Sequence, residues 1–289
     1  MDYTSETMLV RSHRAGREAV FASLTAEQAG WEFLNMAARC LRKGERWSHS
    51  SGNCEFVHVV LGGACHVRTS QGNFEYIGSR ANVFDGLPCA VYLSRNIDFE
   101  IQSASDMVEI ASCWVPTDRD HPVRLIKPED CAIELRGGGN FSRQIVSVLP
   151  PGFDCHRLIC VEVYTPGGNW SSYPPHKHDV HREDVQGNLL EADLEEIYFY
   201  KIDKPEGYAY QRVYNEDRSI DGLMMPRTND LVIVPEGYHP VVTPPGYNAY
   251  YLNFLAGSAQ SLANTDDPAY AWVKGESTEL DPRLPLVGP

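Results

Sequence analysis

Glycine and proline interrupt this chain so often that long helices have little room to form. Across 289 residues, 23 glycines and 19 prolines recur between short runs rich in β-branched and aromatic side chains. That punctuation predicts strands joined by turns. Candidate strands in the first half are 31–42 (WEFLNMAARCLR), 55–61 (EFVHVVL), 64–69 (ACHVRT), 90–93 and 107–114 (MVEIASCW). The rhythm resumes at 157–164 (RLICVEVY), 195–202 (EEIYFYKI), 208–214 (YAYQRVY), 230–235 (DLVIVP) and 249–255 (AYYLNFL). The fold class read from this pattern is all-β, in two units joined near 120–150 and divided as residues 1–140 and 141–289. EFVHVVLGGACHV and EEIYFYKIDKPEGYAYQRV share a plan: a strand opened by glutamate, a glycine-containing turn and a second strand. Two stacked β-barrels satisfy that plan, and closure removes exposed strand edges. Segment 179–194 (DVHREDVQGNLLEADL) breaks the rhythm with charge and reads as a surface loop, placed to act as a rim or lid.

Charge and composition narrow the partners. A formal net charge of −14 argues against nucleic acid or an anionic membrane, because phosphate binding needs a clustered basic surface. It leaves room for a small anionic ligand held by one or two local basic groups. Hydrophobic residues at 43% and charged residues at 22% are ordinary for a soluble protein. No apolar run is long enough to span a bilayer, and the first residues lack the apolar core of a secretory signal, so the expected location is the cytoplasm. The eight cysteines form no Cys-x-x-Cys pair, and several lie in apolar strands, where reduced thiols behave as small core residues.

The chemistry concentrates in the second half. SSYPPHKHD places His176 and His178 one residue apart, and in an extended chain such positions share a face. Lys177 then points away. Beyond residue 160 the other histidines are His181 and His239, the latter in PEGYHPVV at the end of an apolar run. His176, His178 and His239 with one carboxylate make a mixed nitrogen and oxygen set suited to zinc, iron, manganese or nickel. Glu183, five residues after His178, and Glu196, which opens EIYFY, compete for the carboxylate position. Strands hold ligands more firmly than loops, so Glu196 is preferred, with Glu183 on the rim and Glu195 on the opposite face. Tyr198 shares the Glu196 face. Arg212, on the face of Tyr208, Tyr210 and Tyr214, is a candidate for holding a carboxylate. With Tyr210 and the rim residue Arg182, it forms the expected ligand-binding set. His58, His66 and His156 are isolated and read as structural.

GNWSSYPPHKHD, LEEIYFYK, YAYQRVYNEDRSID and VPEGYHPVVTPPGYNAYYLNFLAG resemble the 5-deoxy-glucuronate isomerase family of myo-inositol catabolism. GSRANVFDGLP, AVYLSR and ELRGGGNFSRQI extend the resemblance over about 31–272. It implies a bicupin, two cupin-type jelly-roll barrels in one chain, with the first metal-free and the metal in the second. Its ligands map onto His176, His178, Glu196 and His239, with zinc the first choice and manganese, iron or nickel the alternatives. Related ketol-isomerases share the E-x-Y-F-Y opening, without the insertion between His178 and Glu196. The implied reaction converts 5-deoxy-D-glucuronate to 2-deoxy-5-keto-D-gluconate through an enediolate. Glu196, Glu162 of CVEVY and Tyr198 are the candidate proton carriers. A cupin dioxygenase and a non-catalytic sugar-acid binder are the rival readings, and a homo-oligomer is among the options.

Overall fold

The strand Cys54–Gly62 is buried at every position after its first, and Ala249–Gly257 is buried throughout. A sheet with one wet face would show alternation, so both faces of these strands must be covered. The computed structural model, which describes residues 2–13, 19–276 and 279–288, shows how. Two large antiparallel sheets stand back to back, each covered on its other side by a smaller sheet.

The first large sheet has six strands, in the order Arg124–Ile126, Cys89–Leu93, Cys54–Gly62, Met107–Pro116, Asn35–Arg42 and Val20–Leu24. The second runs Leu9–Val10, Leu231–Val234, Leu189–Ile202, Ala249–Gly257, Ile159–Thr165, Arg143–Leu149 and Ala132–Arg136, with Asp179–Glu183 paired to Leu189–Ile202. Four central strands follow one plan in both sheets: Cys89–Leu93, Cys54–Gly62, Met107–Pro116 and Asn35–Arg42 match Leu231–Val234, Leu189–Ile202, Ala249–Gly257 and Ile159–Thr165. The pairing of EFVHVV with EEIYFY by likeness is therefore repeated in topology. A shared apolar cluster joins the sheets, with Ala38, Val57, Val59 and Ala111 from one and Ile197, Phe199, Leu252 and Phe254 from the other.

The outer layers differ. Arg46–Ser50, Asp98–Ser103, Cys65–Thr69 and Gly72–Ile77 form a four-stranded sheet that closes the first barrel over a second apolar cluster, which includes Phe56, Val67, Phe99 and Ile101. Trp170–Ser171, Val241–Val242, Tyr210–Tyr214 and Asp221–Met224 form the corresponding sheet in the second half. There the barrel holds a cavity of about 300 Å³ lined by both polar and apolar side chains. The all-β bicupin class read from the sequence is the architecture found.

Several expectations need correction. The strand expected from residue 31 starts at Asn35, because the backbone N–H groups of Glu32, Phe33 and Leu34 turn outward to donate to the Glu195 carboxylate. The segment 120–150 is no plain connector: it contributes Arg124–Ile126 to the first large sheet and the hairpin Ala132–Arg136/Arg143–Leu149 to the second. The presumed loop 179–194 is mostly a hairpin, closed where Asp184 accepts from the N–H groups of Gln186 and Asn188. All eight cysteines are free thiols. No helix among the described residues is long and apolar enough to cross a membrane.

Candidate metal centre

Register decides which side chains face the cavity. Directly opposed residues of antiparallel strands share a face. Tyr198 lies opposite Asn253, which lies opposite Val161 on the next strand. Tyr251 lies opposite Val163, and Val163 opposite Ile145. All of these residues line the cavity, together with Arg143, Ser147, Glu196 and Leu255. The intervening residues of the same strands face the apolar cluster between the sheets.

Three ligand-type atoms converge beside this cavity. His178, Glu196 and His239, all buried, offer donor atoms within 4.8 Å of one another. The Nε2 atoms of His178 and His239 stand 3.0 and 3.2 Å from the same oxygen, Glu196 Oε2. His176, half-buried, lines the same cavity, its ring centroid 4.9 Å from that of His239. Glu196 Oε1 accepts from Asn253 Nδ2 at 2.5 Å, which orients the carboxylate.

The backbone sets the tautomers. Nδ1 of His178 faces Leu194 O at 3.1 Å, Nδ1 of His239 faces Gly237 O at 2.8 Å and Nδ1 of His176 faces Pro174 O at 3.4 Å. A carbonyl only accepts, so each Nδ1 carries the hydrogen, and each neutral ring presents its Nε2 lone pair to the site. Three such lone pairs and a carboxylate repel one another unless a cation or extra protons lie between them. His239 Nε2 is buried and, despite its 3.2 Å approach to Glu196, lacks a properly aligned hydrogen bond. That orphaned atom and the mixed donor set fit a divalent cation.

The charges respond accordingly. Burial opposes ionisation of Glu196, yet the close approach and charges of His178 and His239 outweigh it and hold the pKa down to about 2. Burial works against a charged His178, but Glu196 reverses the balance and raises its pKa. Burial, then the charges of His239 and His178, pushes His176 well below the usual histidine range. Burial and the Glu196 charge raise the Tyr198 phenol well above its usual value, so it stays protonated. Its hydroxyl lies 3.1 Å from Ser172 Oγ, which is 3.4 Å from the Tyr251 hydroxyl.

Other expected residues lie elsewhere. Glu162 alternates with Val161 and Val163, but those valines face the cavity. Glu162 points the other way, fully buried in an ion pair with Arg80 at 2.6 Å and accepting from Tyr250. It cannot reach a substrate in this cavity. Arg212 and Tyr210 line a separate surface groove, and Arg212 is held by both oxygens of Asp221 at 2.8 and 2.7 Å. Arg182, exposed, donates to Thr265 Oγ1 at 2.9 Å and lies 3.5 Å from Glu191. Glu183 is exposed near His181, and Glu195 faces away from Glu196 as its strand requires. Lys177 also points away, pairing with Asp179 at 2.6 Å. The residues not anticipated are Arg143, Ser172, Tyr251 and Asn253. Asn253 had a readable signal, a lone amide inside the buried run AYYLNFL.

Comparison with known proteins places the chain in a family. A protein of Geobacillus thermodenitrificans named 5-deoxy-glucuronate isomerase is 41% identical over 267 residues, covering 92% of this chain and 95% of its own. One of Bacillus subtilis strain 168 with the same name is 39% identical, covering 86% and 91%. The crystal structure of an IolB-like protein from Salmonella typhimurium LT2 superposes with a TM-score of 0.86 at 34% identity, covering 92% of this chain and 98% of that one. A Lactobacillus farciminis oxalate decarboxylase, at 11% identity and a TM-score of 0.61 over 88% and 86%, shares the fold alone. The KduI/IolB family matches residues 8–273, and with relatives of this similarity the chain belongs to that family of isomerases.

Proposed function

We propose that the protein is a metal-dependent 5-deoxy-glucuronate isomerase, converting 5-deoxy-D-glucuronate to 2-deoxy-5-keto-D-gluconate. The observation that carries the metal dependence is the convergence of His178 and His239 Nε2 on Glu196 Oε2, with His176 beside them at a cavity that His176, His178 and Glu196 line. The substrate follows from the names of the relatives. His176, His178, Glu196 and His239 would hold a divalent ion, zinc first and manganese, iron or nickel as alternatives. When bound, the ion supplies a Lewis acid for the substrate carbonyl.

The chain's own groups do the rest. An aldehyde-to-ketone exchange removes a proton from the carbon next to the aldehyde and returns one to the aldehyde carbon, with the hydroxyl proton moving between the two oxygens. Glu196 is the buried carboxylate on the cavity face, so the carbon-bound proton is assigned to it. Tyr198, kept protonated and joined to Ser172, is placed to hydrogen-bond the substrate oxygens. The hydrocarbon wall of Val161, Val163, Ile145 and Leu255 limits water at the reacting carbons.

The test is to strip metal with a chelator, restore zinc, manganese, iron or nickel singly, and follow 5-deoxy-glucuronate by NMR under anaerobic conditions. Conversion that depends on added metal and proceeds without oxygen is the expected result. Full activity in the metal-free protein, or no conversion with any of the four ions, sinks the reading.

A further inference from the structure

Two arginines are buried among the described residues, and they are treated differently. Arg80 has Glu162 at 2.6 Å. Arg143, only 7% exposed, has no carboxylate within ion-pair distance among the described residues. It lines the same cavity as His176, His178 and Glu196. Its Nη1 donates to the carbonyls of Tyr173 at 3.1 Å and Phe141 at 3.4 Å, which anchors one arm of the guanidinium. The remaining N–H groups have no protein acceptor among the described residues, and none is sealed from the cavity. Glu134, the acidic neighbour across the hairpin, is already held by Arg136 through both oxygens, at 2.8 and 2.7 Å.

A buried guanidinium without an anion is unfavourable, and its fork of donors matches a carboxylate in two-point geometry. We propose that Arg143 binds the carboxylate of a sugar-acid substrate and so directs the opposite, aldehyde end toward the cluster of His178, Glu196 and His239. This rests on the isomerase reading and takes over the role expected for Arg212, whose guanidinium is occupied by Asp221 in another groove. In a six-carbon uronate the acid and the aldehyde are the two chain ends, so an anchor at one end fixes which carbons meet the reactive groups. Burial pushes the Arg143 pKa down to about 10, which still leaves the group cationic at neutral pH.

The test compares 5-deoxy-glucuronate with its uncharged methyl ester, using zinc-loaded wild type and Arg143→Met. Binding is measured by calorimetry, turnover by NMR and zinc by elemental analysis. Wild type should prefer the acid, and Arg143→Met should lose about 10- to 100-fold in affinity and KM for the acid. Its kcat should stay within a few-fold, its handling of the ester should change little and its zinc content should be unchanged. Because calorimetry reads the preference whether or not turnover occurs, a wild type that binds the acid selectively but does not convert it refutes the isomerase reading and leaves the anchor standing. An acid preference that survives in Arg143→Met overturns the proposal, as does equal loss for acid and ester or a wild type that binds neither. If Arg143→Met fails to fold, Arg143→Lys, which keeps the charge but not the fork, should raise KM for the acid selectively. Equal changes for acid and ester in that variant overturn the proposal.

Discussion

At the scale of single residues, histidine takes opposite roles in the two halves. His178 and His239 sit beside a carboxylate with their Nε2 atoms turned toward it. Replacing His239 by alanine should abolish stoichiometric zinc binding and cut turnover at least about 100-fold without altering the far-ultraviolet spectrum, since one of few ligands is lost. Tyr198→Phe should retain zinc and lose about 10- to 100-fold in kcat, the range of one hydrogen bond lost from a substrate oxygen that gains charge. His58, by contrast, is buried in the first barrel with Nδ1 at 2.8 Å from Ser112 Oγ, and among the described residues its Nε2 has no partner and no carboxylate lies within ion-pair distance. Burial, then the charges of Arg39 and His49, pulls its pKa down to about 3. Its folded pKa lies below the unfolded value, so the unfolded chain takes up the proton first as pH falls. Stability is then lost below about pH 6.5, by about 2 kcal/mol at pH 5. Urea midpoints at pH 7 and pH 5 should show this loss in wild type and a smaller one in His58→Gln; equal losses would refute it.

At the scale of elements, a glutamate on a central strand of each half ties down the other half. Glu55 accepts from the backbone N–H groups of His156, Arg157 and Leu158 at 2.7 to 3.0 Å, just before Ile159–Thr165 begins. Glu195 accepts from those of Glu32, Phe33 and Leu34, just before Asn35–Arg42. The two clasps occupy equivalent positions in the two sheets and explain why both strands start where they do. Glu55→Gln leaves an amide with one accepting oxygen against three N–H donors and the Tyr92 hydroxyl. It should lower stability by about 1 to 3 kcal/mol in urea unfolding, with kcat within twofold of wild type. The glutamate shared by EFVHVV and EEIYFY was visible in the sequence, but the partners lie 101 to 163 residues away, which is why these bonds were not.

At the scale of the whole molecule, the halves meet through a buried apolar face that also holds a charged pair. Arg80 of the first half donates to both oxygens of Glu162 of the second, at 3.0 and 2.6 Å. Arg80→Met would leave Glu162 buried without its cation and should cost about 3 to 5 kcal/mol. Arg80→Met/Glu162→Met should recover much of that loss, measured by urea unfolding of both variants. The halves also differ inside. Phe56 and Phe99 fill the first barrel, while small or polar side chains such as Ser147, Ser172 and Asn253 leave the second open enough for a ligand.

The sequence alone determined the fold class and most central strands, because hydrophobic periodicity and glycine and proline punctuation are local properties of the chain. It also brought His176, His178, Glu196 and His239 forward as candidate ligands, since His176 and His178 are two apart on an extended segment and Glu196 falls in an alternating apolar run. The tertiary structure decided which face of each remaining strand meets the cavity. Val161 and Glu162 differ by one residue, and alternation separates them without saying which side is the core between the sheets and which the site. Register across four strands answers that, and it turns Glu162 toward Arg80 while bringing Arg143 and Asn253, more than a hundred residues apart, to the same cavity as Glu196.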